Sequence, residues 1–262
     1  MNILEFLDSP ELLGGSFEPE TRQTMRSVLA GAWALPMDDE ALARFHSVTG
    51  GREPPPNRVR ELWVAVGRRA EKTRQAAAMG LYLATVGAEV DGLRDRLAPG
   101  ERGVVAIIAV DRSQAKIAME YCRALVEQSP MLSNLVSRSD TEAIHFDNHT
   151  SIEVHTNSFR AVRGRTLLAV ILDECAFFRS DLSANPDLET YRAALPGLAT
   201  TGGMVIGVSS PYSRKGLLYD KWKRHFAQDD PDVLFVQGAS RDFNPTIPES
   251  FVLDALRDDP EA

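Results

Sequence analysis

From residue 58 onward the chain alternates between short unbroken apolar runs and longer stretches in which apolar positions recur every three or four residues. The unbroken runs are 62–66 (LWVAV), 103–110 (GVVAIIAV), 167–172 (LLAVIL), 204–209 (MVIGVS) and 233–237 (VLFVQ). Runs without polar alternation are what strands buried on both faces require. The periodic stretches predict helices over 73–86, from Asp111-Arg112-Ser113 to about 127, and over 188–194, closed by Pro196-Gly197. Further helices are expected over 216–226 and 250–256. Residues 143–146 and 151–155, around Asp147-Asn148-His149-Thr150, predict a hairpin. Strands alternating with helices predict an α/β fold: a mainly parallel sheet with helices on both faces.

The first 57 residues follow another pattern. Helical spacing covers 19–34 and 38–48, and Gly50-Gly51 and Pro54-Pro55-Pro56 then break the chain. The expected organisation is a helical N-terminal segment (1–57), an α/β core (58–240) and a C-terminal connector (241–262).

Composition narrows the function. The 262 residues are 44% hydrophobic and 25% charged, the mix of a soluble globular chain. No membrane span is expected, because no apolar run reaches 18 residues. The acidic N-terminus does not read as a signal peptide. Cys122 and Cys175 stand far apart, without a zinc-type spacing, and fit a reducing cytoplasm. The formal net charge is −8, so any contact with nucleic acid must come from local clusters. Arg214, Lys215, Lys221, Lys223, Arg224 and His225 form the densest such cluster; it reads either as a DNA-facing patch or as the solvated face of a helix.

The chemistry is carried by two stretches. In 61–84, a strand leads through Gly67, Arg68, Arg69, Ala70 and Glu71 to Lys72-Thr73 at the start of a helix, the layout of a phosphate-binding P-loop. The standard G-x-x-x-x-G-K-[ST] spacing would need glycine at 66 and 71, where Val66 and Glu71 stand. The second stretch, LLAVILDE, puts Asp173 and Glu174 at the carboxyl end of a buried strand, where open α/β sheets bind ligands. With the P-loop on a neighbouring strand, Thr73 and Asp173 would hold Mg²⁺ and Glu174 would orient or deprotonate the attacking water. Ser209, Ser210 and Pro211 close another buried strand and read either as a sensor of hydrolysis or as an ordinary turn. Arg163 and Arg165 precede the acid-bearing strand, as an arginine finger or as a solvated basic loop. His145, His149 and His155 have the wrong spacing for a compact zinc site. Cys175 reads as packing.

Together GRRAEKT, RGRTLLAVILDECAFF and GVSSPYSRKGLLYDKW resemble the ATPase domain of the large terminase subunit of tailed bacteriophages and prophages. The leading segment 17–55 is similar to the helical lid before that family's P-loop, and SRDFNPTIPESFVLDAL to the connector into its nuclease domain. The resemblance covers essentially the whole chain. It implies a RecA-like (ASCE) P-loop NTPase core that uses ATP and Mg²⁺ to move double-stranded DNA into a procapsid. It also implies a homo-oligomeric ring on the portal protein, a small terminase subunit as partner, and the host cytoplasm as location, with a monomer in isolation. Lys72-Thr73 match the P-loop pair, Asp173 and Glu174 the Walker B aspartate and catalytic glutamate, and Ser209-Ser210-Pro211 the coupling motif. Arg68 matches a phosphate-contacting arginine and Arg163 a finger acting in trans; an adenine contact falls near Gln23. The chain ends just past the connector, so nuclease activity is not expected.

The family pattern GRRxGK[ST] has glycine where this chain has Glu71. Two unit charges about 5 Å apart at an effective dielectric near 20 repel by roughly 3 kcal/mol. Glu71 is therefore expected to weaken ATP binding unless it turns to Arg68, Arg69 or solvent. A helicase-like P-loop motor, and a nucleotide-binding assembly scaffold with hydrolysis weakened by Glu71, are the alternative readings.

Overall fold

In the computed structural model, which describes residues 1–17, 21–179 and 185–258, the apolar runs are strands of one sheet. In chain order the strands are β1 (Glu61–Val66), β2 (Gly103–Ala109), β3 (Val136–Ser139), β4 (Ala143–Phe146), β5 (Thr150–Thr156), β6 (Thr166–Asp173), β7 (Met204–Ser209) and β8 (Val233–Gly238). The helices are α1 (Ile3–Asp8), α2 (Gln23–Ala32), α3 (Asp39–Thr49), α4 (Lys72–Ala84), α5 (Val86–Val90) and α6 (Arg112–Gln128). After these come α7 (Pro130–Leu135), α8 (Pro186–Ala199), α9 (Leu217–His225), α10 (Ser240–Phe243) and α11 (Glu249–Asp258).

The sheet order is β3-β4-β5-β2-β6-β7-β1-β8. The six strands from β5 to β8 run parallel, and β4 and β3 extend the sheet as antiparallel neighbours. One expectation is corrected: β1, the strand before Lys72-Thr73, and the acid-bearing strand β6 are not neighbours, because β7 lies between them. Both still end at the same carboxyl edge, because parallel strands share direction.

Each apolar run serves two cores. In β1, Leu62, Val64 and Val66 face one apolar layer and Trp63 and Ala65 the other. In β6 the alternation slips once, with Leu168 and Ala169 both on the first side, where the β2 pairing carries a bulge. The first layer also holds α4, α6 and the N-terminal helices. α4 is buried nearly all round, between the sheet and the segment before Pro54. Tyr82 of α4 meets Phe6 and Trp33 edge-on at 5.5 and 5.9 Å.

Several boundaries differ from the sequence expectation. The helix expected from 19 begins at Gln23; Glu18, Pro19 and Glu20 lie outside the described residues, as do the last four residues of the connector. α8 runs through Pro196 to Ala199 instead of stopping there. Ala194 and Leu198 bury one face four residues apart, while Arg192, whose carbonyl loses its helical donor, is exposed. Among the described residues no helix is long and apolar enough to cross a membrane.

Gly207 of β7 is required by close packing. A Cβ there would sit 2.2 Å from the Trp63 ring, which is fully buried. Gly207→Ala is expected to lower the unfolding free energy by about 1–3 kcal/mol. The urea midpoint at unchanged m-value reads this out.

Candidate active site

The site begins where β1 gives way to α4. Gly67 lies against α10: a Cβ would stand 2.1 Å from the Ser240 Oγ and 3.2 Å from its backbone nitrogen. The loop then turns through two left-handed residues, Arg69 (φ 64°) and Glu71 (φ 56°). Such φ values cost a non-glycine residue about 1–2 kcal/mol. Asn244 Nδ2 donates to the Arg69 carbonyl at 2.9 Å and fixes the loop from the far end of the chain. Among the described residues, the backbone amides of Arg69 through Arg74 donate to no backbone or side-chain acceptor. A row of free amides at the first turn of a 13-residue helix is an anion-binding nest.

Lys72 is the first residue of α4 and is 6% exposed. Its Nζ donates to the carbonyls of Val66 (3.3 Å) and Gly67 (3.0 Å) and to Ser210 Oγ (2.9 Å), and lies 3.3 Å from Glu174 Oε1. Thr73 Oγ1 lies 3.0 and 3.2 Å from the two carboxylate oxygens of Asp173. Thus the first turn of α4 is bonded directly to the end of β6, across β7.

The end of β7 joins the same cluster. Glu174 Oε2 accepts from the Ser210 amide at 2.9 Å and from Ser209 Oγ at 3.2 Å. The Glu174 backbone is left-handed (φ 54°), and its amide donates to Val208 O at 2.7 Å. Leaving β6 in this conformation separates the two acids: Asp173 points to Thr73, Glu174 to Lys72 and the serines. Asp173 is 1% exposed, and burial pushes its carboxyl up to about 6, with the neighbouring Glu174 adding to the rise; Thr73 and Lys72 oppose it. Pro211 follows on the exposed side.

Glu71 turns away from Lys72, but not to the partners expected. Its Oε2 meets Arg22 at 2.7 Å and Arg74 at 3.3 Å, whereas Arg68 and Arg69 are exposed. Two arginines shield this carboxylate because α2 and the first turn of α4 converge on it. Gln23 is exposed at the start of α2; its neighbour Arg22 is the residue that reaches the loop. Arg163 is exposed over the Phe159 ring at 4.6 Å, three residues before β6 begins. Eight strand residues at about 3.3 Å each separate that edge from Asp173, so Arg163 does not join its own chain's cluster.

Other candidates resolve simply. Cys175 is 1% exposed, and burial raises its thiol. His155 pairs with Glu153 at 3.1 Å and His145 lies 3.7 Å from Asp140. Among the described residues no group of three or more His, Cys, Asp or Glu is placed to hold a metal. Arg22, Arg74, Ser240 and Asn244 were not singled out from the sequence. Only Asn244 carried a signal, as the Asn-Pro turn, and that signal concerned local shape.

No protein-family model matches the chain, and no curated protein does. Solved structures do match. The ATPase domain of the Thermus phage P74-26 large terminase aligns at 19% identity over 86% of this chain and 94% of its own, with a TM-score of 0.56. The fold is that of a large terminase ATPase domain. The HK97 bacteriophage large terminase aligns at 16% identity over 92% of this chain and 52% of its own, with a TM-score of 0.59. The large terminase of a thermophilic bacteriophage, solved in complex with ADP, aligns at 12% identity and a TM-score of 0.54, covering 90% of this chain and 49% of its own. This chain thus spans about half the length of those two terminases.

The buried Asp173 carboxyl makes a pH-dependent prediction. An acid whose folded pKa lies above its unfolded value destabilises the fold as pH rises between the two, here from about 4 to about 6. Asp173→Asn keeps an acceptor for Thr73 and carries no charge. In chelator-containing buffer it is expected to match the parent near pH 4 and to exceed it by on the order of 2 kcal/mol above pH 6. Urea denaturation across that range reads the divergence.

Proposed function

We propose that this chain is the ATPase motor domain of a phage or prophage large terminase, coupling ATP hydrolysis to translocation of double-stranded DNA into a procapsid. The observation that carries the reading is the convergence of Lys72-Thr73, Asp173-Glu174 and Ser209-Ser210 from three adjacent strands at one sheet edge. The loop amides and Lys72 bind the phosphates of ATP. Thr73 and Asp173 offer a hydroxyl and a carboxylate 3.0 Å apart, the hard oxygen donors that suit Mg²⁺. That ion would neutralise charge on the phosphate oxygens. Glu174 orients the attacking water and accepts its proton.

Ser209 and Ser210 couple the site to the rest of the chain, since Glu174 cannot shift without changing its bonds to them. Arg163, remote from its own site, is suited to serve that of a neighbouring copy in a ring on the portal protein. Arg68, exposed on the loop, is free to meet a phosphate. The small terminase subunit and the host cytoplasm belong to the same proposal.

The deciding experiment is phosphate release from Mg-ATP, with and without duplex DNA. Glu174→Gln is expected to lower the rate by about 100-fold or more. Equal release from both chains would reject the enzyme reading and favour a binding scaffold. A second prediction concerns Glu71. With Arg22 and Arg74 shielding it, Glu71→Gly is expected to change Mg-ATP affinity by less than about tenfold, below the roughly 3 kcal/mol of an unshielded charge. Arg22→Ala is expected to weaken binding about fivefold when Glu71 is present and to have no effect in the Glu71→Gly chain, a coupling that titrations of the four chains measure.

A further inference from the structure

The six basic residues around α9 do not act as one patch. Lys221 Nζ is turned inward, bonded to Glu61 and to the Tyr191 hydroxyl (2.9 Å). His225 pairs with Asp230 at 3.0 Å. Arg224 is exposed but lies near Tyr191, where its charge opposes the rise in the tyrosine pKa. Arg214 and Lys215 are different. They belong to the β7–α9 loop, in which all five residues from 211 to 215 are exposed. Lys223 stands four residues after Tyr219, on the same face of α9. Arg179, from the segment after β6, reaches the Tyr212 hydroxyl at 3.3 Å and brings a fourth cation to the loop. Among the described residues Arg214, Lys215 and Lys223 form no ion pair.

Between this loop and α9 runs a groove of about 540 Å³, floored by Ala65, Leu218 and Phe235. Aromatic rings stiffen its walls. Tyr212 packs on Phe177 at 4.7 Å. Tyr219, Trp222 and Phe226 stack in sequence at 5.6 and 6.2 Å, and Trp222 Nε1 donates to Gln237 at 2.7 Å. Each ring leans on another, but Tyr212 and Trp222 stay exposed, so single strands are the competitor that the binding test must include. What projects from it is positive charge on a rigid support. In a chain of net charge −8, such a local cluster is where a polyanion can be met.

We propose that Arg214 and Lys215, flanked by Arg179 and Lys223, form a surface that grips the sugar-phosphate backbone of double-stranded DNA. This rests on the motor reading and adds to it the place where the track is held. The loop starts at Pro211, one residue after the Ser210 amide that donates to Glu174 at 2.9 Å. A change in the Glu174 carboxylate's partners therefore reaches the start of this loop through a single hydrogen bond, and Arg214 lies four residues beyond Ser210.

The test is equilibrium binding of the whole chain, without nucleotide, to a labelled mixed-sequence duplex over about 50–300 mM salt. The double variant Arg214→Ala/Lys215→Ala is expected to flatten the slope of log affinity against log salt by about 1.8 and to weaken binding at 0.1 M salt by roughly 60-fold. Arg112→Ala/Lys116→Ala, which removes two exposed cations from α6, is expected to change affinity far less. The proposal is overturned if the loop variant keeps the parent slope, if the α6 variant loses as much, if the parent prefers single-stranded DNA, or if it shows no salt-dependent duplex binding. Failure of the motor reading is distinguishable: it would appear as absent phosphate release with duplex binding intact.

Discussion

The bond from Thr73 to Asp173, with Lys72 against Glu174 beside it, is the constraint on which the arrangement depends. It joins the first turn of α4 to the end of β6 across an intervening strand, with Asp173 and Lys72 buried and Thr73 and Glu174 partly exposed. Hydrogen bonds to ionisable groups in such a place are strong when satisfied and costly when broken. The surrounding structure supplies the conditions. β1, β7 and β6 are parallel, so their ends lie at one edge; their side chains fill two apolar layers, so that edge cannot shift piecemeal. The left-handed residues Glu71 and Glu174 store local strain at the two ends of the cluster, and packing elsewhere compensates for it.

The N-terminal helical segment and the stretch after β8 are tied to this cluster by polar contacts. Arg22, just ahead of α2, holds Glu71, and Asn244, beyond β8, holds the Arg69 carbonyl. The loop from Gly67 to Glu71 is thereby held by side chains from both flanking segments. Glu71 has compensating partners in Arg22 and Arg74, and its left-handed backbone marks a place where glycine would be free of strain.

The strands buried on both faces were legible because their apolar runs leave no polar alternation to confuse them. β3, with sequence VSRS at the sheet edge and three exposed residues, offered no such signal. α1 is six residues long, too short for periodicity to identify. The order of strands was not legible either: β7 lies between β1 and β6 through pairings that no local pattern encodes. The same reason hid the partners of Glu71 and the contact between Arg69 and Asn244, which are 175 residues apart. The candidate site residues that were legible are those fixed by local grammar: a lysine and threonine opening a helix, and acids and serines ending strands. The basic cluster around α9 was visible in the sequence, but only packing divided it into buried, paired and projecting members.

The central claim is that a nucleotide phosphate binds at the Lys72 amine, where Glu174 now sits. The most direct measurement is a structure of the chain with Mg²⁺ and a non-hydrolysable ATP analogue. The account predicts the terminal phosphate on Lys72 Nζ and the loop amides, with the Glu174 carboxylate withdrawn from the lysine. An analogue bound elsewhere, or bound with the Lys72–Glu174 contact at 3.3 Å intact, would contradict it.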